Sequence, residues 1–209
     1  GDRVTIADDE LCSTFGMESC SFCEKGLPIL CTNKYKRKYQ NNVGGGWSEF
    51  LVRHENQLLP IPDEMDDNLA VLMEPVAASL HAVLRSPPKE NYRILIVGGG
   101  AIGLGVLVSI LALNIVPIEI TVLARHDFQR KAAIQFGSHH VVNEANTFET
   151  LSDILNTVIL GTGENRMLND GFDIIYDCVA SNNTLNNGLR WLRPRGYLLV
   201  VGTNSILKN

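Results

Sequence analysis

Arg93-Ile-Leu-Ile-Val-Gly98-Gly99-Gly100-Ala101-Ile102-Gly103-Leu104 closes one apolar run and opens another. Gly98, Gly100 and Gly103 fit the pattern G-x-G-x-x-G, the turn at which a dinucleotide pyrophosphate can rest on a helix N-terminus. The three glycines have separable tasks. Gly98 permits the tight turn, Gly100 lets the backbone approach the phosphates, and Gly103 lets helix and strand pack closely. The free N–H groups of the helix start, at Ala101 and Ile102, and its positive dipole end suit an anion. A glycine pattern is weak by itself; the legible strand before it and helix after it give it meaning.

Downstream the rhythm is βαβα. The pattern predicts strands over 93–98, 118–124, 140–142, 172–178 and 196–202, with helices over 101–113, 126–136, 148–159 and 182–192. Apolar strands alternating with helices predict an α/β fold, a doubly wound parallel Rossmann sheet covered on both faces, over 92–209. Gly137 and Gly188 fall near helix ends. Five strands are one short of the full dinucleotide fold, so the sheet is expected to be incomplete at its C-terminal side. Upstream, residues 1–72 read as strands and loops, with strands at Arg3–Ile6 and, by alternation after three glycines, at Trp47–Arg53. Asp66 or Asp67 can cap a helix starting near Asn68. Glu74-Pro75 reads as N-cap and first residue of the next helix, within a connection over 73–91.

The chain has 209 residues and a formal net charge of −5. That balance offers no basic field to a nucleic-acid backbone or an anionic membrane, so neither partner is expected. The stretch from Ile94 to Ile118 carries no charge, but the glycine turn inside it favours a buried βα unit over a membrane span. The N-terminus begins polar, without a signal-peptide core, and a cytoplasmic location is expected.

Cys12, Cys20, Cys23 and Cys31 crowd one short segment, whereas Cys178 stands alone in an apolar strand. Without a sign of secretion, clustered thiols read as metal ligands before disulfides, although free cysteines remain the plain alternative. Four thiolates would close a tetrahedral Zn²⁺ site with no open position, making it structural rather than catalytic. Cys178 reads as a small buried apolar residue.

These motifs together resemble the zinc-containing medium-chain dehydrogenases, nearest the sorbitol and threonine dehydrogenase-like branch. The resemblance runs from Gly1-Asp-Arg-Val through the cysteine lobe, Gly46-Trp-Ser-Glu-Phe and Glu74-Pro-Val-Ala-Ala-Ser-Leu-His81. It continues through the glycine turn to Gly171-Phe-Asp-Ile-Ile-Tyr-Asp-Cys178 and Leu192-Arg-Pro-Arg-Gly. It implies a partial GroES-like catalytic domain over 1–72, a zinc lobe at about 12–31, and hydride transfer between an alcohol or polyol and NAD(P). Homo-oligomers are implied as well. Most relatives space the first two structural cysteines more tightly, which would put Met17 at the first ligand position; a longer loop in the threonine dehydrogenase-like branch favours Cys12. The family's catalytic-zinc cysteine and Gly-His-Glu motif do not occur in this sequence. Only Glu74 matches that site, as a ligand or water-linked neighbour, with a helix cap as the simpler role. The 209 residues alone are therefore expected to be inactive.

An acid at the end of the second sheet strand holds the adenosine ribose in NAD-binding folds. Here that position falls on Ala124, followed by Arg125. Arg125, with Arg130 or Lys131, could bond a 2′-phosphate, which favours NADP(H) over NAD(H); a solvated Arg125 and a helix-capping Asp127 are the simpler alternatives. His81 is expected to pack or to bond backbone. Asp8-Asp9-Glu10 and the basic stretch from Lys34 to Tyr39 read as solvated edges of the lobe. Two other functions remain open: a non-catalytic, zinc-stabilised nucleotide-binding protein, and, against the acidic charge, a nucleic-acid binder using the basic stretch.

Overall fold

A computed structural model describes residues 1–7, 10–38 and 44–203. The chain divides into two compact units, Gly1–Leu72 and Met73–Asn209. In the first, β1 (Val4–Ile6) pairs antiparallel with β2 (Leu58–Pro60), Val4 opposite Pro60. Among the described residues between them run short turns rather than sheet. Trp47–Arg53 forms no strand: Trp47, Phe50 and Val52 lie exposed, and alternation without a partner strand does not make a ladder. Helix α1 (Asp67–Ala70) is capped by Asp66, whose Oδ1 accepts the Leu69 N–H at 3.0 Å.

The second unit opens with α2 (Met73–Arg85). Glu74 is inside this helix rather than at its N-cap, because helical backbone already begins at Met73. The parallel sheet follows: β3 (Arg93–Val97), α3 (Ala101–Ala112), β4 (Glu119–Leu123), α4 (Asp127–Gln135), β5 (His140–Val142) and α5 (Thr147–Leu155). A two-stranded hairpin, β6 (Ile159–Leu160) with β7 (Met167–Leu168), precedes β8 (Phe172–Asp177), α6 (Asn182–Trp191) and β9 (Leu192–Val200). The five-stranded sheet has the order β5-β4-β3-β8-β9, with parallel pairing at every step. That is the α/β Rossmann arrangement, with β3 at the centre where the strand order reverses.

Strand β3 shows why helices cover both faces. Ile94 and Ile96 join a core with Val106, Leu107 and Ile110 of α3, while Leu95 and Val97 join one with Phe148, Leu151 and Trp191. A strand buried on both sides reads as one apolar run because alternate residues both need apolar neighbours.

Several boundaries differ from the pattern. The fifth sheet strand spans 192–200, not 196–202, and pairs across an irregularity between Phe172 and Ile174. Helix α5 stops at Leu155 because Asn156 turns left-handed, with φ of 48°, and the hairpin takes the residues that follow. Gly188 lies inside α6, where Leu198 crowds its missing side chain at 3.1 Å. His81 stands exposed on α2 instead of packing. No helix among the described residues is long and apolar enough to cross a membrane.

Candidate functional site

The carboxyl ends of β3, β4 and β8 border a cleft of roughly 620 Å³, within the size of small-molecule sites. Its floor is the Gly98–Gly103 turn. Gly98 adopts φ of +104°, a left-handed backbone that side chains resist, and its N–H bonds Leu123 O at 2.8 Å. Gly103 sits so close to that turn that a Cβ would lie 1.8 Å from Gly98 O. Gly100 is the N-cap of α3 and offers no side-chain cap, and the space where its Cβ would project is open. The first N–H groups of α3 therefore face the cleft without a side-chain acceptor, an arrangement that receives an anion. Buried Ser79 of α2 steadies this helix, its Oγ lying 2.7 Å from Pro75 O and 3.0 Å from Ile102 O.

The walls come from neighbouring strand ends. From β8, the loop Cys178–Ala180 is pinned by Asp177, whose fully buried Oδ1 accepts the Val179 and Ala180 N–H groups at 3.0 and 2.9 Å. Cys178 is partly buried at this wall, where it packs against the core formed with Ile94, Ile96 and Val106, and burial, then the neighbouring Asp177 charge, pushes its thiol up to about 12. It stays a protonated thiol at neutral pH. Ser181 caps α6 by accepting the Thr184 N–H at 3.1 Å.

At the end of β4, Ala124 is buried and Arg125 reaches the rim, its Nε 3.0 Å from Glu144 Oε2. The Glu144 hydrogen bond and charge raise the Arg125 pKa, so its cation is secure. Arg130, by contrast, does not line the cleft. It donates from Nη1 to the carbonyls of Ala124 and Arg125, both at 2.7 Å, and from Nη2 to Asp127. Arg130 thus braces the turn that carries Arg125. His126, not Asp127, occupies the N-cap of α4. Glu144 carried no motif and was missed by sequence reading; its position just beyond the strand beside β4 is the signal that could have found it.

In the first unit the four cysteines converge, their Sγ atoms all within 4.8 Å of one another. Cys12 and Cys31 stand 3.6 Å apart, and Cys20 and Cys31 3.9 Å. A tetrahedron with Zn–S bonds of about 2.3 Å has S···S edges of about 3.8 Å, so the donor set fits that ion. Cys12 takes the corner; Met17 packs against the cluster instead. Backbone N–H groups of Cys23 and Thr32 bring the Cys20 thiol down to about 5, a bond from Asn33 lowers Cys12, and burial raises Cys23 to about 12. The basic stretch is not wholly a solvated edge: the Arg37 side chain is buried, bonds Glu10 Oε2 at 2.6 Å and lies over the Phe15 ring. Asp8, Asp9 and Tyr39 lie outside the described residues. Glu74 is exposed near the start of α2, and its side chain makes no hydrogen bond to another described residue.

The family described as zinc-binding dehydrogenase matches residues 101–208. An L-threonine 3-dehydrogenase of Stenotrophomonas maltophilia is 30% identical over 97% of this chain and 53% of its own length. An Escherichia coli oxidoreductase/dehydrogenase of unknown specificity superposes with a TM-score of 0.78 at 25% identity, covering 100% of this chain and 55% of that one. A Sinorhizobium meliloti protein solved bound to NADP gives 0.74 at 22% identity, covering 100% and 56%. The chain spans about half the length of the curated relatives it matches.

Proposed function

The chain belongs to the zinc-binding dehydrogenase family, and from that premise we propose that its second unit binds NADP(H) for hydride transfer to or from the CH–OH carbon of an alcohol or polyol. The observation carrying this reading is the bare N-terminus of α3 on the cleft floor, beside a strand end that offers Arg125 and no carboxylate of its own. Gly98, Gly100, Ala101, Ile102 and Gly103 receive the diphosphate, and Arg125 meets the 2′-phosphate in charge-assisted bonds. Arg130 acts by holding the Ala124–Arg125 carbonyls. The nicotinamide, when bound, accepts or gives hydride at its C4 atom.

Cys12, Cys20, Cys23 and Cys31 hold a structural zinc that organises a lobe with little apolar material of its own. Glu74 would border a catalytic zinc only where ligands outside these 209 residues held the ion, which would then supply Lewis acidity toward an alcohol oxygen. Homo-oligomers and a cytoplasmic location rest on the family resemblance and composition. The test is an equilibrium fluorescence titration of NADPH and NADH. Arg125→Ala is expected to weaken NADPH by about tenfold, one good charge-assisted contact, while sparing NADH. Equal affinity for both coenzymes, untouched by the substitution, refutes the NADP(H) assignment.

A further inference from the structure

The end of β4 lacks the carboxylate that would hold a ribose hydroxyl, yet a carboxylate stands beside it. In the register of the sheet Leu123 lies opposite Val142, and Ala124 N donates to Val142 O at 2.9 Å. Glu144 follows Val142 by two residues and so emerges next to Ala124 and Arg125. Its backbone is held: Thr147 Oγ1 donates to Glu144 O at 3.0 Å, and Asn143 Oδ1 accepts the Ala145 N–H at 3.0 Å. Both Glu144 and Arg125 line the cleft.

We propose that Glu144 is a specificity-determining residue of this cleft: it supplies, from the end of β5, the ribose-hydroxyl acceptor that Ala124 withholds at the end of β4, and thereby lets the site take NAD(H) as well as NADP(H). This inference rests on the reading of the cleft as a nicotinamide-dinucleotide site. The geometry leaves the needed atoms open. The ion pair engages only Arg125 Nε and Glu144 Oε2, so among the described residues Glu144 Oε1 and both Arg125 Nη atoms have no protein partner. A 2′-hydroxyl can donate to Oε1. A 2′-phosphate instead accepts from the Nη groups, and then carries about two negative charges past the Glu144 carboxylate. Glu144 therefore favours the hydroxylated coenzyme and subtracts from the advantage Arg125 gives the phosphorylated one.

The test is the ratio of NADPH to NADH dissociation constants, measured by fluorescence titration on the zinc-loaded 209-residue chain. Glu144→Gln keeps a neutral contact to Arg125 but removes the charge. It is expected to weaken NADH by about tenfold and to leave NADPH equal or tighter, moving the ratio toward NADPH. Glu144→Ala moves it the same way, and Arg125→Ala moves it the opposite way. A surface ion pair with no coenzyme role leaves the ratio within about twofold of wild type, and that result, or a shift toward NADH, overturns the proposal. So does a wild-type chain that binds NADPH but not NADH. Wild-type protein binding neither coenzyme refutes the underlying reading, a failure distinguishable because no ratio then exists to shift.

Discussion

Replacing Gly103 by alanine adds one methyl group, and the structure gives it nowhere to go. The new Cβ would stand 1.8 Å from Gly98 O and 2.9 Å from Gly98 C, where real Cβ atoms essentially never come nearer than 3.0 Å. The obstructing atoms are backbone at the glycine turn, so no side chain can swing aside. Helix α3 must withdraw from the end of β3 by more than an ångström, opening the core that Val106, Leu107 and Ile110 make with Ile94 and Ile96. Overpacking against a rigid partner costs about 3 kcal/mol, and the better helix propensity of alanine returns about 1 kcal/mol. The net loss of about 2 kcal/mol corresponds to a fall in melting temperature of about 4–8 °C for a unit of this size, read by scanning calorimetry. Coenzyme binding should fall with it, because the displaced helix start no longer meets the diphosphate. An unchanged melting temperature would mean that the close packing of turn and helix described above is wrong.

Gly100→Ala provides the contrast: its Cβ meets open space and its φ of −82° suits alanine, so stability should hold while NADPH binding drops about tenfold or more. Thermal melts beside a binding titration separate the two. Ser181→Ala removes the cap of α6 and should cost about 1 kcal/mol in urea unfolding, without abolishing binding. Zinc uptake by the metal-free chain should release protons, since the Cys23 thiol is held near 12 by burial and must ionise to become a ligand. Apparent zinc affinity should therefore rise with pH, and calorimetry in buffers of different ionisation enthalpy should show proton release. Chelation should loosen the first unit and leave the melting of the second unaffected.

The sheet was legible because its strands are buried on both faces. Ile94–Val97 reads as an unbroken apolar run and Ile174–Tyr176 as an apolar centre between Asp173 and Asp177, and the boundaries of both strands lie within a residue of those expected. The glycine turn was legible because steric rules alone specify those positions. Trp47–Arg53 misled because alternation signals a strand only when a partner supplies the ladder, and none of the described residues does so. The β6–β7 hairpin was hidden in a stretch whose helical periodicity continues past Leu155, where the left-handed Asn156 ends the helix. Arg130 and Glu144 show the same limit at the site. One was expected as a coenzyme contact and braces a turn instead. The other enters the cleft through strand register, which residue type and spacing along the chain do not encode.

The decisive measurement is amide NMR of the zinc-loaded chain during addition of NADPH. Diphosphate docked on the start of α3 should shift the N–H signals of Gly100, Ala101, Ile102 and Gly103 saturably, with one coenzyme bound per chain. Saturable binding that leaves these four signals in place, and moves others instead, would contradict the assignment of this cleft.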